Sequence, residues 1–254
     1  MKLSCRLVSS THEEVAKHIK PGINTKELDK IAEEFIRDNG GIPGFKGYNG
    51  FPYTLCISMN DEVVHGMPRD EEVKDGDVLS IDCGAILNDF YGDSAYTYLV
   101  GEIGDDIMNL MRTTKEALYA GIKNAIVGKR LGDISHAIQT HAEKEYGYGV
   151  VRELVGHGVG RNLHEGPEVP NYGRKGSGMK LKEGLVIAIE PMINQGTKDI
   201  KYDSDGWTVR TKDNQISAHY EHTIAVRKSE AQILSTFEGL ENSIKNNIEL
   251  TEIV

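Results

Sequence analysis

The sequence predicts an α+β fold built on an antiparallel sheet. Two observations carry this: strand-like segments at 55–58, 78–86 and 91–100 come first, helical periodicity fills 107–146, and strands return at 185–193 and 215–226; and the second and third strands are close enough in sequence to form a hairpin. A chain of 254 residues can bury one large core, so 1–254 reads as a single catalytic-sized domain.

In chain order, 24–40 predicts a helix. Asn24 can cap it, Glu27 completes a capping box, and Leu28, Ile31, Ala32, Phe35 and Ile36 recur on one face before Gly40 and Gly41 end it. Residues 41–54 mix Gly, Pro and aromatic residues, which suits an ordered loop rather than a linker. Strands 78–86 and 91–100 read as a hairpin turning at Leu87, Asn88 and Asp89. The helical stretch breaks near 128–132, with Asp133 as a plausible cap. No low-complexity tract or sequence repeat is present, although two helix-plus-strand halves fit a structural duplication.

Composition narrows the function classes. No apolar run approaches the roughly 18 residues a membrane span needs, and charges run through the first twenty residues, so a cytoplasmic protein without membrane contact is expected. Cys5, Cys56 and Cys83 show no CxxC spacing, which indicates neither a disulfide framework nor a zinc knuckle. A formal charge of −10 argues against a nucleic-acid surface.

Five segments carry candidate chemistry. Asp82 and Asp93 are equally far from the hairpin midpoint and would face each other on one side, where a cation relieves their repulsion; two solvated surface carboxylates fit the spacing better taken alone. Glu190 ends the apolar run 185–189, where it is either buried and neutralised or reaches water at the strand end. Glu221 sits mid-segment in Ser217-Ala218-His219-Tyr220-Glu221-His222-Thr223, with a solvated face as the alternative. His157 is flanked by Gly156 and Gly158, which let backbone approach and leave the imidazole free to ligate. His65, alone, would more often be structural. Together they give Asp, Asp, His, Glu and Glu, an oxygen-rich set suited to Mn, Fe(II), Co or Zn.

The order and context of these residues resemble the type I methionine aminopeptidases over about residues 3–240: Asp82, Asp93 eleven positions later, His157 in Gly-His-Gly-Val-Gly, Glu190 before Pro191-Met192, and Glu221 in Tyr-Glu-His-Thr. The resemblance, closest to the short bacterial form, implies the pita-bread fold of two pseudo-symmetric α/β halves around an antiparallel sheet. It implies two divalent metal ions (Co, Mn, Fe(II) or Zn), with Asp82 chelating one, Asp93 and Glu221 bridging, and His157 and Glu190 completing the other. His65 and His164 would line the substrate, and Tyr48, Phe51, Cys56 and Trp207 would form the methionine pocket, with Leu163 and Phe45 close. Leu163 stands where phenylalanine is frequent in bacterial members, and Phe45 where cysteine is frequent. Residues 241–254 lie past the matched region and are a candidate exposed C-terminal tail.

The implied activity is hydrolytic removal of the initiator methionine from nascent proteins whose second residue is small, through a metal-activated water. Glu190 would shuttle the proton, His164 stabilise the developing oxyanion and His65 position the scissile amide, which makes His65, His164 and Glu190 the catalytic set. The expected partners are nascent N-termini beginning with Met and, transiently, the ribosome; a monomer is expected. The alternative is a proline dipeptidase or aminopeptidase P on the same fold. Those enzymes resemble this chain only in the second part of a longer protein.

Overall fold

The computed structural model describes residues 1–253 and opens with a helix that hydrophobic periodicity did not reveal, α1 (Lys2–Ala16). Its buried face includes Ser4, Ser9, Thr11 and His12 alongside Cys5, Leu7, Val8 and Val15, so the apolar stripe is interrupted by polar residues, of which Thr11 and His12 have partners of their own. Thr11 Oγ1 donates to Leu7 O at 2.8 Å, and His12 lies 2.9 Å from Ser94 O and 3.0 Å from the Tyr98 hydroxyl. Helix α2 (Thr25–Asp38) follows as expected, and Asn24 Oδ1 accepts the Glu27 N–H at 2.9 Å.

Three short strands, β1 (Ile42–Pro43), β2 (Leu55–Met59) and β3 (Glu62–Val64), precede the hairpin of β4 (Val78–Leu87) and β5 (Phe90–Leu99). Its turn is tighter than the three-residue turn expected. Asn88 (φ 51°) and Asp89 (φ 64°) are both left-handed, the conformation of a two-residue turn matched to strand twist. The midpoint shifts accordingly: Asp82 pairs with Ala95 and Asp93 with Gly84, so the two carboxylates are diagonal neighbours on one face rather than directly opposite.

Helices α3 (Asp105–Lys123) and α4 (Leu131–Gln139) fill the helical stretch, and α4 runs on into a π-helical turn at Thr140–Glu145. Asp133 is not the cap residue; it lies in the first turn and reaches back, Oδ2 accepting the Arg130 N–H at 2.8 Å. The second half contains β6 (Gly149–Val150), β7 (Gly156–Gly158), β8 (Glu165–Val169), β9 (Val186–Ile189), β10 (Met192–Asn194), β11 (Ile200–Tyr202), β12 (Val209–Thr211), β13 (Ser217–His219), β14 (His222–Ala225) and β15 (Gln232–Ile233). Each strand expected at 185–193 and 215–226 is in fact two, broken at Glu190-Pro191 and at Tyr220-Glu221. At both breaks the chain changes sheet: β9 and β14 pair in a five-stranded sheet, β10 and β13 in a three-stranded one. Proline lacks the N–H that would continue the ladder at 191.

The two halves meet where β5 runs beside β13 and β14, and the seam is held by hydroxyls as much as by backbone. Glu221 N–H donates to Ala95 O at 2.9 Å, Ser94 Oγ to Glu221 O at 2.8 Å, Thr223 Oγ1 to Asp93 O at 2.7 Å, and Thr97 Oγ1 to His219 O at 2.8 Å. Asp93 and Glu221 are thereby brought face to face from opposite halves. Behind them one large apolar core joins α1, α2, β4, β5, α3 and α4.

Residues 241–253 do not form an exposed tail. Glu241 lies in α5 (Glu238–Asn246), which buries Leu240 and Ile244. Leu250 bridges to Val100, Asn247 Nδ2 donates to Ala16 O and Ile19 O, and Thr251 N–H donates to Leu99 O. Those bonds dock the segment against the ends of α1 and β5.

Candidate metal centre and active site

All five predicted ligands line one cavity of about 350 Å³, with His65, His164, Tyr48, Phe51, Cys56, Trp207, Leu163 and Phe45 on its walls. Ligating atoms of Asp93, His157 and Glu221 lie within 4.8 Å of one another. His157 Nε2 is 3.7 Å from Asp93 Oδ2 and 3.4 Å from Glu190 Oε1. Asp93, Glu221 and His157 are buried, and the Glu190 side chain is 13% exposed, so neither Glu190 nor Glu221 sits on a solvated face.

The tautomer of His157 follows from its neighbour. Its Nδ1 lies 2.9 Å from Gly158 O, a carbonyl that can only accept, so Nδ1 carries the proton and Nε2 presents a lone pair toward the carboxylates. Burial pushes the His157 pKa down to about 4, which keeps the ring neutral. The flanking glycines are needed for approach: a Cβ on Gly156 would stand 2.4 Å from Ala188 O, and one on Gly158 2.4 Å from Gly166 O.

The carboxylates are in an environment that is poor for negative charge. Burial raises Asp82 to about 7 and holds Asp93, Glu190 and Glu221 well above the carboxylate range, with the neighbouring acids adding repulsion. Asp82 Oδ1, Asp93 Oδ1 and Glu221 Oε1 are buried without a hydrogen-bond partner. Buried carboxylate oxygens of Asp93 and Glu221 gathered beside the His157 lone pair fit a divalent cation.

The residues expected to line the substrate are held with equal specificity. Phe45, Phe51, Cys56 and Leu163 form one apolar cluster with Tyr48 and Trp207, and the Phe51 and Trp207 rings meet edge-on at 5.0 Å. Phe45 lies on Gly84, where any Cβ would come within 2.4 Å of its ring. His65 follows β3 with φ 59°, a left-handed conformation that is costly outside glycine, and burial lowers its pKa to about 4. A charged network steadies its strand: Arg210 donates to Asp61 at 2.7 Å, to Asp203 at 2.7 Å and to the fully buried Glu62 at 2.6 Å, and Arg69 donates to Glu62 at 2.8 Å.

Sequence reasoning passed over several lining residues, among them Asn49, Val64, Glu153, Leu154, Val155 and Met192. The stretch 153–155 has neither strand nor helix periodicity, so only its position just before Gly156 could have singled it out. His219, also unremarked, places Nε2 3.7 Å from Glu190 Oε2.

Comparison with known proteins agrees with this geometry. The model of metallopeptidase family M24 matches residues 1–228. A methionine aminopeptidase 1 of Bacillus subtilis is 54% identical over 235 residues, 92% of this chain and 94% of that protein. A methionine aminopeptidase of Clostridium acetobutylicum is 48% identical over 94% of this chain and 95% of its own. The crystal structure of methionine aminopeptidase from Rickettsia prowazekii superposes with a TM-score of 0.91 at 41% identity, covering 92% of this chain and 95% of that one. A prolidase from Pyrococcus furiosus, at 24% identity and a TM-score of 0.76, shares the fold, and this chain covers 63% of it. The chain belongs to metallopeptidase family M24 and has that family's fold of two α/β halves around an antiparallel core.

Proposed function

We infer that this chain is a methionine aminopeptidase of type I, a hydrolase that removes the initiator methionine from nascent proteins when the second residue is small. The observation that carries the reading is the one cavity in which five metal-type ligands adjoin an apolar, aromatic and thiol-bearing wall. Methionine is flexible and polarizable, and sulfur–aromatic contacts with Tyr48, Phe51 and Trp207 add to its burial. The relatives above, all but the prolidase methionine aminopeptidases by name, support the same reading.

Asp82, Asp93, His157, Glu190 and Glu221 would hold two divalent ions, with Asp93 and Glu221 shared between them. Co, Mn, Fe(II) or Zn suits this donor set. When bound, the ions make a coordinated water acidic enough to supply the nucleophile near neutral pH.

The protein's own groups do the rest. Glu190, ionised when it ligates metal, is suited as a carboxylate to accept the water's proton and deliver it to the leaving amine. His164, neutral because burial lowers its pKa, can donate to the oxygen where negative charge develops. His65 faces the scissile amide from a backbone held rigid by the Glu62 network. Newly made N-termini are found in the cytoplasm at the ribosome, which supports action there in transient ribosome contact; one catalytic domain acting as a monomer completes the reading. Metal analysis paired with peptidase assays on Met-Ala and Met-Lys peptides tests the reading: activity without metal, or equal cleavage of both peptides, would overturn it.

A further inference from the structure

His219 is 2% exposed, and its Nε2 is buried without a hydrogen-bond partner. Few buried ring nitrogens go unpaired in a folded protein, so this one calls for a physical role. Its backbone has no freedom to turn the ring away. The His219 N–H donates to Thr97 Oγ1 at 3.0 Å, its carbonyl accepts from the same hydroxyl at 2.8 Å, and the residue pairs with Met192 across the β10–β13 ladder. Met192 is two residues past Glu190, and that pairing sets the ring beside the Glu190 carboxylate. Nε2 stands 3.7 Å from Glu190 Oε2.

The other Glu190 oxygen, Oε1, is 3.4 Å from His157 Nε2. One carboxylate is thus flanked by two imidazoles, and the two differ in what they present. His157 has its proton fixed on Nδ1 by the Gly158 carbonyl and offers a lone pair, as a metal ligand does. His219 has no such constraint from a carbonyl, and its Nε2 faces an acceptor.

We propose that His219 is a positioning residue for Glu190: at 3.7 Å its Nε2 is just beyond hydrogen-bond reach of Oε2, and a small approach of the carboxylate lets Nε2–H donate to it and keeps Oε1 turned toward His157 and the metal centre. This rests on the reading of Glu190 as ligand and proton carrier. Donors behind ligating carboxylates restrict their rotation and tune their basicity, and removing one characteristically costs ten- to a hundredfold in metal affinity or activity.

The test uses the full chain as His219→Leu, which removes the donor, and His219→Gln, which keeps an N–H donor at similar reach. Two quantities are read: the dissociation constant for Mn(II) alone, by titration calorimetry, and the visible absorption of the Co(II)-loaded protein; kcat and KM on a Met-Ala peptide accompany them. His219→Leu should bind Mn(II) about tenfold more weakly, shift the Co(II) bands, and lose about tenfold in kcat with KM nearly unchanged. His219→Gln should recover most of the affinity and rate. Should the leucine variant fail to fold, His219→Asn, whose amide is too short to reach Oε2, should show the same losses. Wild-type affinity and rate in the leucine or asparagine variant, or equal impairment of the glutamine variant, would overturn the proposal. Glu190→Gln is the separate control: if it keeps both metal and turnover, the role assigned to Glu190 fails; if it loses them while the His219 variants behave as wild type, only the positioning role fails.

Discussion

The Tyr48 hydroxyl lies 2.8 Å from Nδ1 of His164, which ties the proposed methionine pocket to the imidazole proposed to face the reacting carbonyl. Burial lowers the His164 pKa, so the ring is neutral and holds a single proton. A hydroxyl donating to Nδ1 leaves that proton on Nε2, the form able to donate to a developing oxyanion. Tyr48→Phe should therefore lower kcat about three- to tenfold, the worth of one oriented hydrogen bond, with metal content intact. His164→Ala should cost roughly a hundredfold or more. Metal lost along with His164 would make it a ligand instead, and the site would have to be redrawn.

Chelator-stripped protein should be inactive and regain turnover with Co(II), Mn(II) or Fe(II), because no other group in the cavity is placed as a nucleophile. Cys56 is the nearest rival by chemistry, but burial and the adjacent carboxylates Asp82 and Asp93 raise its pKa well above the thiol range, so it stays protonated. Full peptidase activity at undetectable metal would refute the assignment.

The carboxylates also make a pH prediction for the metal-free protein. Asp82 at about 7, with Asp93, Glu190 and Glu221 also raised, means that the folded state keeps protons the unfolded chain has lost. Groups raised in this way favour folding fully below their unfolded pKa, and that contribution is lost as pH rises through the folded value. The buried histidines His12, His65, His157, His219 and His222 act in the opposite sense, but the gain from their depressed pKa values is complete above about pH 6.5. For Asp82 the loss is complete at about pH 7, but above about pH 6.5, where the histidine contribution no longer changes, the carboxylates still protonated in the fold set the slope, so the Tm of metal-free protein should fall as pH rises there and Mn(II) should raise it more at the higher pH. Asp93→Asn should abolish turnover, since an amide cannot bridge two cations, yet give a metal-free Tm that is higher and less dependent on pH. A Tm that climbs over the same window in the unsubstituted protein would contradict the account.

Much of the site was legible in the sequence because its residues sit in short, unusual local contexts. The acid of each pair falls where a strand must stop: Glu190 before Pro191, and Glu221 between β13 and β14. Their burial was not legible, because it depends on the seam between halves, where Ser94, Thr97 and Thr223 meet residues more than a hundred positions away. The hairpin register was off because the left-handed tolerance of Asn88 and Asp89 admits a shorter turn than the one expected. Helix α1 was missed for a related reason: its buried face carries His12 and Thr11, whose partners are distant or on the backbone, and hydrophobic periodicity does not count satisfied polar residues.

Specificity separates the assigned activity from its proline-specific relatives on one fold. If Tyr48, Phe51, Cys56 and Trp207 enclose the first side chain, a Met-Ala peptide should be cut much faster than Leu-Ala or Ala-Ala. Discrimination between apolar side chains of similar size is on the order of 1–3 kcal/mol, so leucine should be a weak substrate and alanine nearly inert. Phe45 and Leu163 belong to the same apolar cluster, and both are buried there. Leu163→Phe should therefore overfill it and raise KM for Met-Ala several-fold while leaving metal content unchanged. At the second position Ala, Gly and Ser should be accepted, Lys and Leu refused, and Pro tolerated, if crowding at the cavity mouth sets the limit there. A proline-specific enzyme shows the reverse order, requiring proline second and discriminating little at the first residue. Met-Ala, Met-Pro, Met-Lys and Leu-Pro tripeptides compared at one metal concentration decide between them, and Leu-Pro outrunning Met-Ala would show that the pocket does not read methionine.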